Sequence, residues 1–235
     1  PEGDRAVTAT LAHGIYPYLP SPIDAEGRVL VGVLERLVDD LVGAGVHGIT
    51  PLGSTGEVPY LTAAQRRTIV ETVVRTVAGR VPVAPGLTAF ATADAIEQAR
   101  TFTELGVDGL VVMRQQALPT SNAGVVEYFR AVARAVDVPI VLYTNPGVLG
   151  TDLSIDDLAA LAEVANIRYL KDASGVTGRI LGVCNRLGDR LEVFSASAHI
   201  PLVVFEIGGV GWMAGPACVV PHHAVALYDA WRRGE

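Results

Sequence analysis

The chain has 235 residues, of which half are hydrophobic and 18% are charged, with a formal net charge of -7. That apolar content supplies a large core and excludes a disordered chain. The negative balance argues against nonspecific nucleic-acid binding, so an anionic ligand would have to be held by local cations or amide groups.

The N-terminal Pro1-Glu2-Gly3-Asp4-Arg5 is charged and lacks the apolar stretch of a secretory leader. A first strand is expected near Gly14 to Leu19, then a helix over Arg28 to Val42, where Val29, Val33, Leu37 and Leu41 recur every four residues. The β-branched run Val46 to Thr50 reads as the second strand, followed by a helix over Thr62 to Ala78 with Thr62 as its N-cap. Strands are then predicted at Val81 to Ala84, Gly109 to Met113, Val138 to Tyr143, Ile167 to Leu170, Leu191 to Phe194 and Val210 to Met213. Helical periodicity fills the gaps at Thr92 to Leu105, Asn122 to Val136, Ser154 to Val164, Thr177 to Leu187 and His222 to Arg232.

Eight apolar strands alternating with helices imply an all-parallel sheet covered by helices. A single (β/α)8 TIM barrel over residues 1–235, in the α/β class, is the economical closure. An open doubly wound sheet would place a glycine-rich phosphate turn after the first strand, and none stands there. The apolar segment from Ile207 to Val220 is short and interrupted by glycine and proline, so it reads as core strand and loop and not as a membrane span. A soluble cytoplasmic protein without membrane contact is expected. Cys184 and Cys218 form no CxxC pair, so reduced thiols are expected and not a disulfide framework.

In a barrel every strand C-terminus opens on one face, and polar motifs fall at those ends repeatedly. Lys171 closes the run Ile167 to Leu170. Desolvation there would disfavour the ammonium, and a neutral amine can attack a carbonyl and form a Schiff base. A lysine at a strand end is also commonly a salt-bridged surface residue. Gly53-Ser54-Thr55-Gly56-Glu57 offers exposed amides and two hydroxyls as a carboxylate cradle, or simply a tight turn. Tyr143 ends another apolar run, either as a hydrogen-bonded core tyrosine or as a proton carrier. Arg114 is placed at the mouth as an anion clamp or as one half of an ion pair with a loop carboxylate. The small residues Ser195 to Ala198 leave room for a ligand beside His199, and Trp212-Met213-Ala214 is expected to form an apolar wall. His13, His47, His199, His222 and His223 show no metal-ligand spacing, so no metal is expected.

As a set, these pieces resemble the dihydrodipicolinate synthase and N-acetylneuraminate lyase family of class I aldolases. Gly53-Ser54-Thr55-Gly56-Glu57, Leu142-Tyr143 leading to Pro146, and Lys171-Asp172-Ala173-Ser174-Gly175 match its motifs, over a stretch from about Ile15 onward. The resemblance implies a lyase, aldolase or dehydratase that binds pyruvate or a related 2-oxo acid as an imine on Lys171, with no cofactor. It implies that Tyr143 moves protons, Ser54 extends the relay, Thr55 beside Gly53 holds the carboxylate, and Ala196 and Met213 line the pocket. A homo-oligomer, dimer or tetramer, is implied as well, with the family's C-terminal helical domain missing from this chain. Three positions depart from the family's synthases: Thr144 intervenes before Asn145, Val148 stands where an arginine grips the second substrate, and Gln116 replaces a tyrosine that reaches a partner subunit. The half of the site for the 2-oxo acid is therefore intact and the half for the second substrate is not, so the synthase reaction itself is not expected. A noncatalytic paralogue that binds a 2-oxo acid or sugar acid is the alternative. A phosphate-binding barrel, suggested by Gly208-Gly209-Val210-Gly211, is a third.

Overall fold

The structure, a computed structural model, describes residues 10–118, 120–149 and 152–235, without the side chains of Val148 and Leu149. The charged N-terminal segment and the Val148 side chain thus lie outside the described residues.

Seven strands form one parallel sheet: β1 (Gly14–Pro17), β2 (Gly86–Ala89), β3 (Leu110–Arg114), β4 (Ile140–Thr144), β5 (Ile167–Asp172), β6 (Glu192–Ser195) and β7 (Gly211–Ala214). Their spatial order is β1-β7-β6-β5-β4-β3-β2, a curled, TIM-barrel-like α/β arrangement. The outer strands β1 and β2 are linked by a short irregular segment. Thr50 bridges Tyr18 on one side, and Ile49 bridges Val83 on the other.

The expected second strand thus survives only as these two bridges, for three local reasons. Pro51 has no amide to donate, Leu52 is left-handed at φ 61°, and Gly48 and Gly53 must stay without side chains. A Cβ at Gly48 would lie 2.0 Å from the Tyr16 ring, and one at Gly53 would lie 2.0 Å from the Tyr18 ring. Two interior tyrosines therefore occupy the space that side chains of this segment would need.

The strand expected at Val81 to Ala84 is also displaced. Regular pairing in β2 starts only at Gly86, because Pro82 and Pro85 have no amides to give, and before it Val83 keeps only the bridge to Ile49. Several other strands run about one residue further toward their C-termini than the apolar runs suggest. Arg114, Thr144, Lys171 and Ser195 are therefore ladder residues.

The helical layer comprises α1 (Val31–Gly43), α2 (Ala63–Val77), α3 (Thr92–Glu104), α4 (Asn122–Arg134), α5 (Pro146–Leu149), α6 (Ile155–Ala162), α7 (Thr177–Leu187), α8 (Pro201–Glu206) and α9 (Pro221–Arg233). Thr62 caps α2 as expected, in a capping box with Gln65, an arrangement worth about 1 kcal/mol. Ser154 does the same for α6 with Asp157. The short α5 and α8 carry too few turns for a periodicity to register in the sequence.

The β4–β5 ladder contains one irregularity that matters for the site. Ile140 pairs with Ile167, but the next residue, Val141, pairs with Tyr169, leaving Arg168 as an extra residue in β5. From there the register runs Leu142 to Leu170, Tyr143 to Lys171 and Thr144 to Asp172.

The interior of the curled sheet and the layer between sheet and helices form the main core, which includes Tyr16, Tyr18, Phe194 and Met213. A second cluster joins Ile15, Phe205, Trp212 and Tyr228. The expected wall at β7 is therefore split: Met213 belongs with the interior residues, and Trp212 packs with the other cluster instead. Gly211 lies against the backbone of Gly14, so this end of the glycine-rich run serves close packing of β7 on β1. Cys184 and Cys218 are both free. Among the described residues no helix is long and apolar enough to cross a membrane.

Candidate active site at the end of strand five

Lys171 sits on the penultimate residue of β5 and is only 3% exposed. Its Nζ lies 3.7 Å from the centre of the Tyr143 ring and 3.8 Å from that of Tyr18. Two effects oppose each other there. Ring faces favour an ammonium by about 0.5–2 kcal/mol, whereas stripping an ion of its water costs several kcal/mol when no counter-charge replaces it. Among the described residues no carboxylate lies within ion-pair distance of Lys171. Burial therefore dominates and holds the amine well below the usual lysine range.

The neighbouring Asp172 shows the opposite solution to burial. Its side chain is fully buried, yet it accepts hydrogen bonds from the Ser174 amide at 2.8 Å, from the Ser174 hydroxyl and from Arg179 Nε at 2.9 Å. This network anchors the loop that follows β5. Lys171 itself takes no part in it.

Tyr143, 4% exposed, faces Lys171 across the ladder, and its hydroxyl accepts a hydrogen bond from Asn145 Nδ2 at 3.1 Å. Asn145, Ala173, Ser174 and Arg179 line a groove of about 490 Å³ at this end of the sheet, beside the lysine strand. Another open cavity, of about 390 Å³, lies between α2 and α3 among Arg66, Thr88, Phe90 and Gln98. None of Lys171, Tyr143, Ser54 or Thr55 lines that second cavity.

The remaining residues singled out from the sequence divide into two groups. Gly53 and Met213 are buried at the inner wall, and Ala196 is half-buried just past β6. Ser54 and Thr55 are both exposed, in the turn between the Ile49–Thr50 bridges and α2. Thr55 leans on Gly215 after β7, and Ser54 makes no hydrogen bond to Tyr143, whose oxygen is engaged by Asn145 instead. Arg114 is 8% exposed and turned inward to its own loop, donating to Gln116 Oε1 at 3.1 Å and to Thr120 Oγ1 at 2.6 Å. Its partners are neutral loop oxygens and not the carboxylate considered as one alternative. His199 is exposed.

Tyr18 was not among the residues the sequence singled out. In Tyr16-Pro17-Tyr18-Leu19 it reads as one more core aromatic. Its approach to Lys171 depends on the glycine at 53, and only the three-dimensional arrangement reveals it.

The sequence profile of the dihydrodipicolinate synthetase family matches residues 11–235, and this chain belongs to that family. It is 33% identical over 210 residues to a 4-hydroxy-tetrahydrodipicolinate synthase of Pelobacter propionicus, covering 89% of this chain and 72% of that protein. It is 34% identical over 223 residues to an uncharacterized DapA-like lyase of Halobacterium salinarum, covering 95% and 73% respectively.

Among solved structures, it superposes on dihydrodipicolinate synthase from Aquifex aeolicus with a TM-score of 0.90 at 31% identity, over 94% of this chain and 76% of that one. A prophage protein of the dihydrodipicolinic acid synthase family from E. coli K12, solved in complex with pyruvate, gives a TM-score of 0.91 at 29% identity, over 96% and 77%.

Proposed function

We propose that this chain is a (β/α)8-barrel lyase, aldolase or dehydratase that takes pyruvate or a related 2-oxo acid as an imine on Lys171. The observation that carries this reading is the buried Nζ, uncompensated by any carboxylate among the described residues and flanked by two phenol rings. A neutral amine adds to the C2 carbonyl, and loss of water leaves an imine. The protonated imine is the electron sink that lets a C3 proton leave or a C3–C4 bond form or break. No metal or cofactor is required for these steps. Tyr143 carries protons between nitrogen and oxygen, and Ser54 joins that relay once a ligand draws its exposed loop inward. Thr55 and the amides around Gly53 hold the carboxylate. Ala196 and Met213 bound the methyl end.

Pyruvate occupies a related structure of this family, which supports the substrate class. The second substrate differs from that of the synthases, since Val148 supplies no cation and Arg114 is committed to Gln116 and Thr120. A homo-oligomer belongs to the same reading. Tyr60, Phe90 and Leu118 are 87%, 64% and 76% exposed, and a second copy would cover such side chains.

The test is borohydride reduction in the presence of pyruvate, read by mass spectrometry. A reduced adduct is expected on Lys171 and none on Lys171→Ala. Absence of an adduct across several 2-oxo acids overturns the proposal. The internally bonded Arg114 favours one second reading, a noncatalytic 2-oxo acid binder. Thermal stabilisation by pyruvate with no adduct and no product would select it.

A further inference from the structure

Tyr18 has a hydroxyl with no partner among the described residues. The atom is fully enclosed, the residue is 1% exposed, and none of those residues accepts from it or donates to it. The other buried tyrosines are all engaged. Tyr16 donates to Ala12 O at 2.9 Å and Tyr128 to Met113 O at 3.0 Å. Tyr169 bonds both backbone groups of Leu11, Tyr143 accepts from Asn145, and Tyr228 interacts with Arg232. An unpaired buried phenol costs about 1–3 kcal/mol, so its retention in a packed interior calls for a partner that arrives from outside.

The position says where that partner would bind. The Tyr18 ring faces Lys171 Nζ at 3.8 Å, as the ring of Tyr143 does at 3.7 Å. Thr50, bridged to Tyr18 across the ladder, likewise has a buried hydroxyl without a partner. The absent side chain at Gly53 is what admits the Tyr18 ring. Two unanswered hydroxyls therefore lie on adjacent backbone segments, and the ring that carries one of them packs against the amine.

We propose that Tyr18 is a catalytic residue of this site, its O–H donating to the C2 oxygen of the 2-oxo acid while Lys171 attacks. This deepens the reading given above and rests on it. The Nζ lone pair forms the N–C2 bond, and the C2–O π pair moves onto oxygen, where the Tyr18 O–H meets the growing charge. The relay through Tyr143 then carries the two nitrogen protons in turn to that oxygen, the C2–O bond breaks with the second, and water leaves with the imine in place. Tyr18 keeps its own proton throughout. Burial pushes its ionisation well above the usual tyrosine range, which suits a fixed donor. Tyr143 differs, because its oxygen already has Asn145 as a partner.

Tyr18→Phe keeps the ring and removes the donor, and it deletes an unpaired buried group, so folding is not at risk. The rate of borohydride trapping with pyruvate is measured against pyruvate concentration. The maximal rate is expected to fall roughly tenfold, the loss of one hydrogen bond, with Tm at or above that of the wild type. The half-saturating concentration should change much less. A variant that traps at the wild-type rate, while Lys171→Ala traps nothing, removes Tyr18 from the mechanism and leaves the imine in place. A wild-type protein that forms no adduct with any 2-oxo acid overturns both.

Discussion

Lys171 and Asp172 are consecutive residues at the end of β5 that live in contrasting surroundings. On one face of the strand the amine meets two ring faces and no counter-charge among the described residues. On the other, the carboxylate is saturated by Ser174 and Arg179. Strand alternation alone sends the two side chains to opposite faces. The difference teaches that burial by itself predicts neither stability nor reactivity. The bonded carboxylate holds the loop after β5, whereas the unbonded amine costs folding energy and keeps its lone pair available.

The largest effect should come from the saturated side. Asp172→Ala leaves Arg179, whose side chain is only 16% exposed, with a poorly compensated charge. Breaking such a pair costs about 3–5 kcal/mol, or roughly 6–20 °C in Tm for a chain of this size. Thermal scanning checks it, and a shift of about 2 °C or less would show that the network contributes little.

A smaller loss is expected from Gly53→Ala, which drives a methyl against the Tyr18 ring. Overpacking of this kind costs about 1–3 kcal/mol and should also slow borohydride trapping. In a Tyr18→Ala background the same substitution should cost almost nothing, a coupling that a double-mutant cycle measures.

The smallest change runs in the opposite direction. An unfolded lysine takes up its proton below pH ~10.4, while burial keeps Lys171 neutral well below that. The folded state therefore binds fewer protons across this window, and stability rises with pH through it. Lys171→Met abolishes the titration, so it should raise Tm at neutral pH, with a gain that shrinks as pH approaches ~10. A loss of Tm at pH 7 would mean that the amine is charged and satisfied in the folded protein.

What the sequence discloses follows the same division. Lys171 and Tyr143 are readable as strand-end polar groups because each terminates an unbroken apolar run, and a run ending in a polar side chain is a one-dimensional signal. Thr62 and Ser154 are readable because a helix cap is a local pattern. The displaced β2 is legible only when Pro82 and Pro85 are weighed above hydrophobicity. The bonding of Arg114 to Gln116 and Thr120 depends on how a loop folds back, and no periodicity encodes that. The division of β7 between Met213 and Trp212 follows from alternation along a strand whose phase the sequence leaves open. The unanswered hydroxyl of Tyr18 is a property of its surroundings, and neighbours distant in sequence decide it.

The extra residue Arg168 carries a consequence for how this site is timed into the fold. Were the ladder regular from the Ile140–Ile167 pair onward, with Arg168 taking its turn opposite Val141, Tyr143 would stand opposite Leu170, and the amine would be matched with Thr144. A single inserted position thus acts as a vernier that sets two strands in phase. Because backbone ladders keep that phase, the spacing between phenol and amine is stiff, while the surrounding mouth loops remain at liberty to change what else enters.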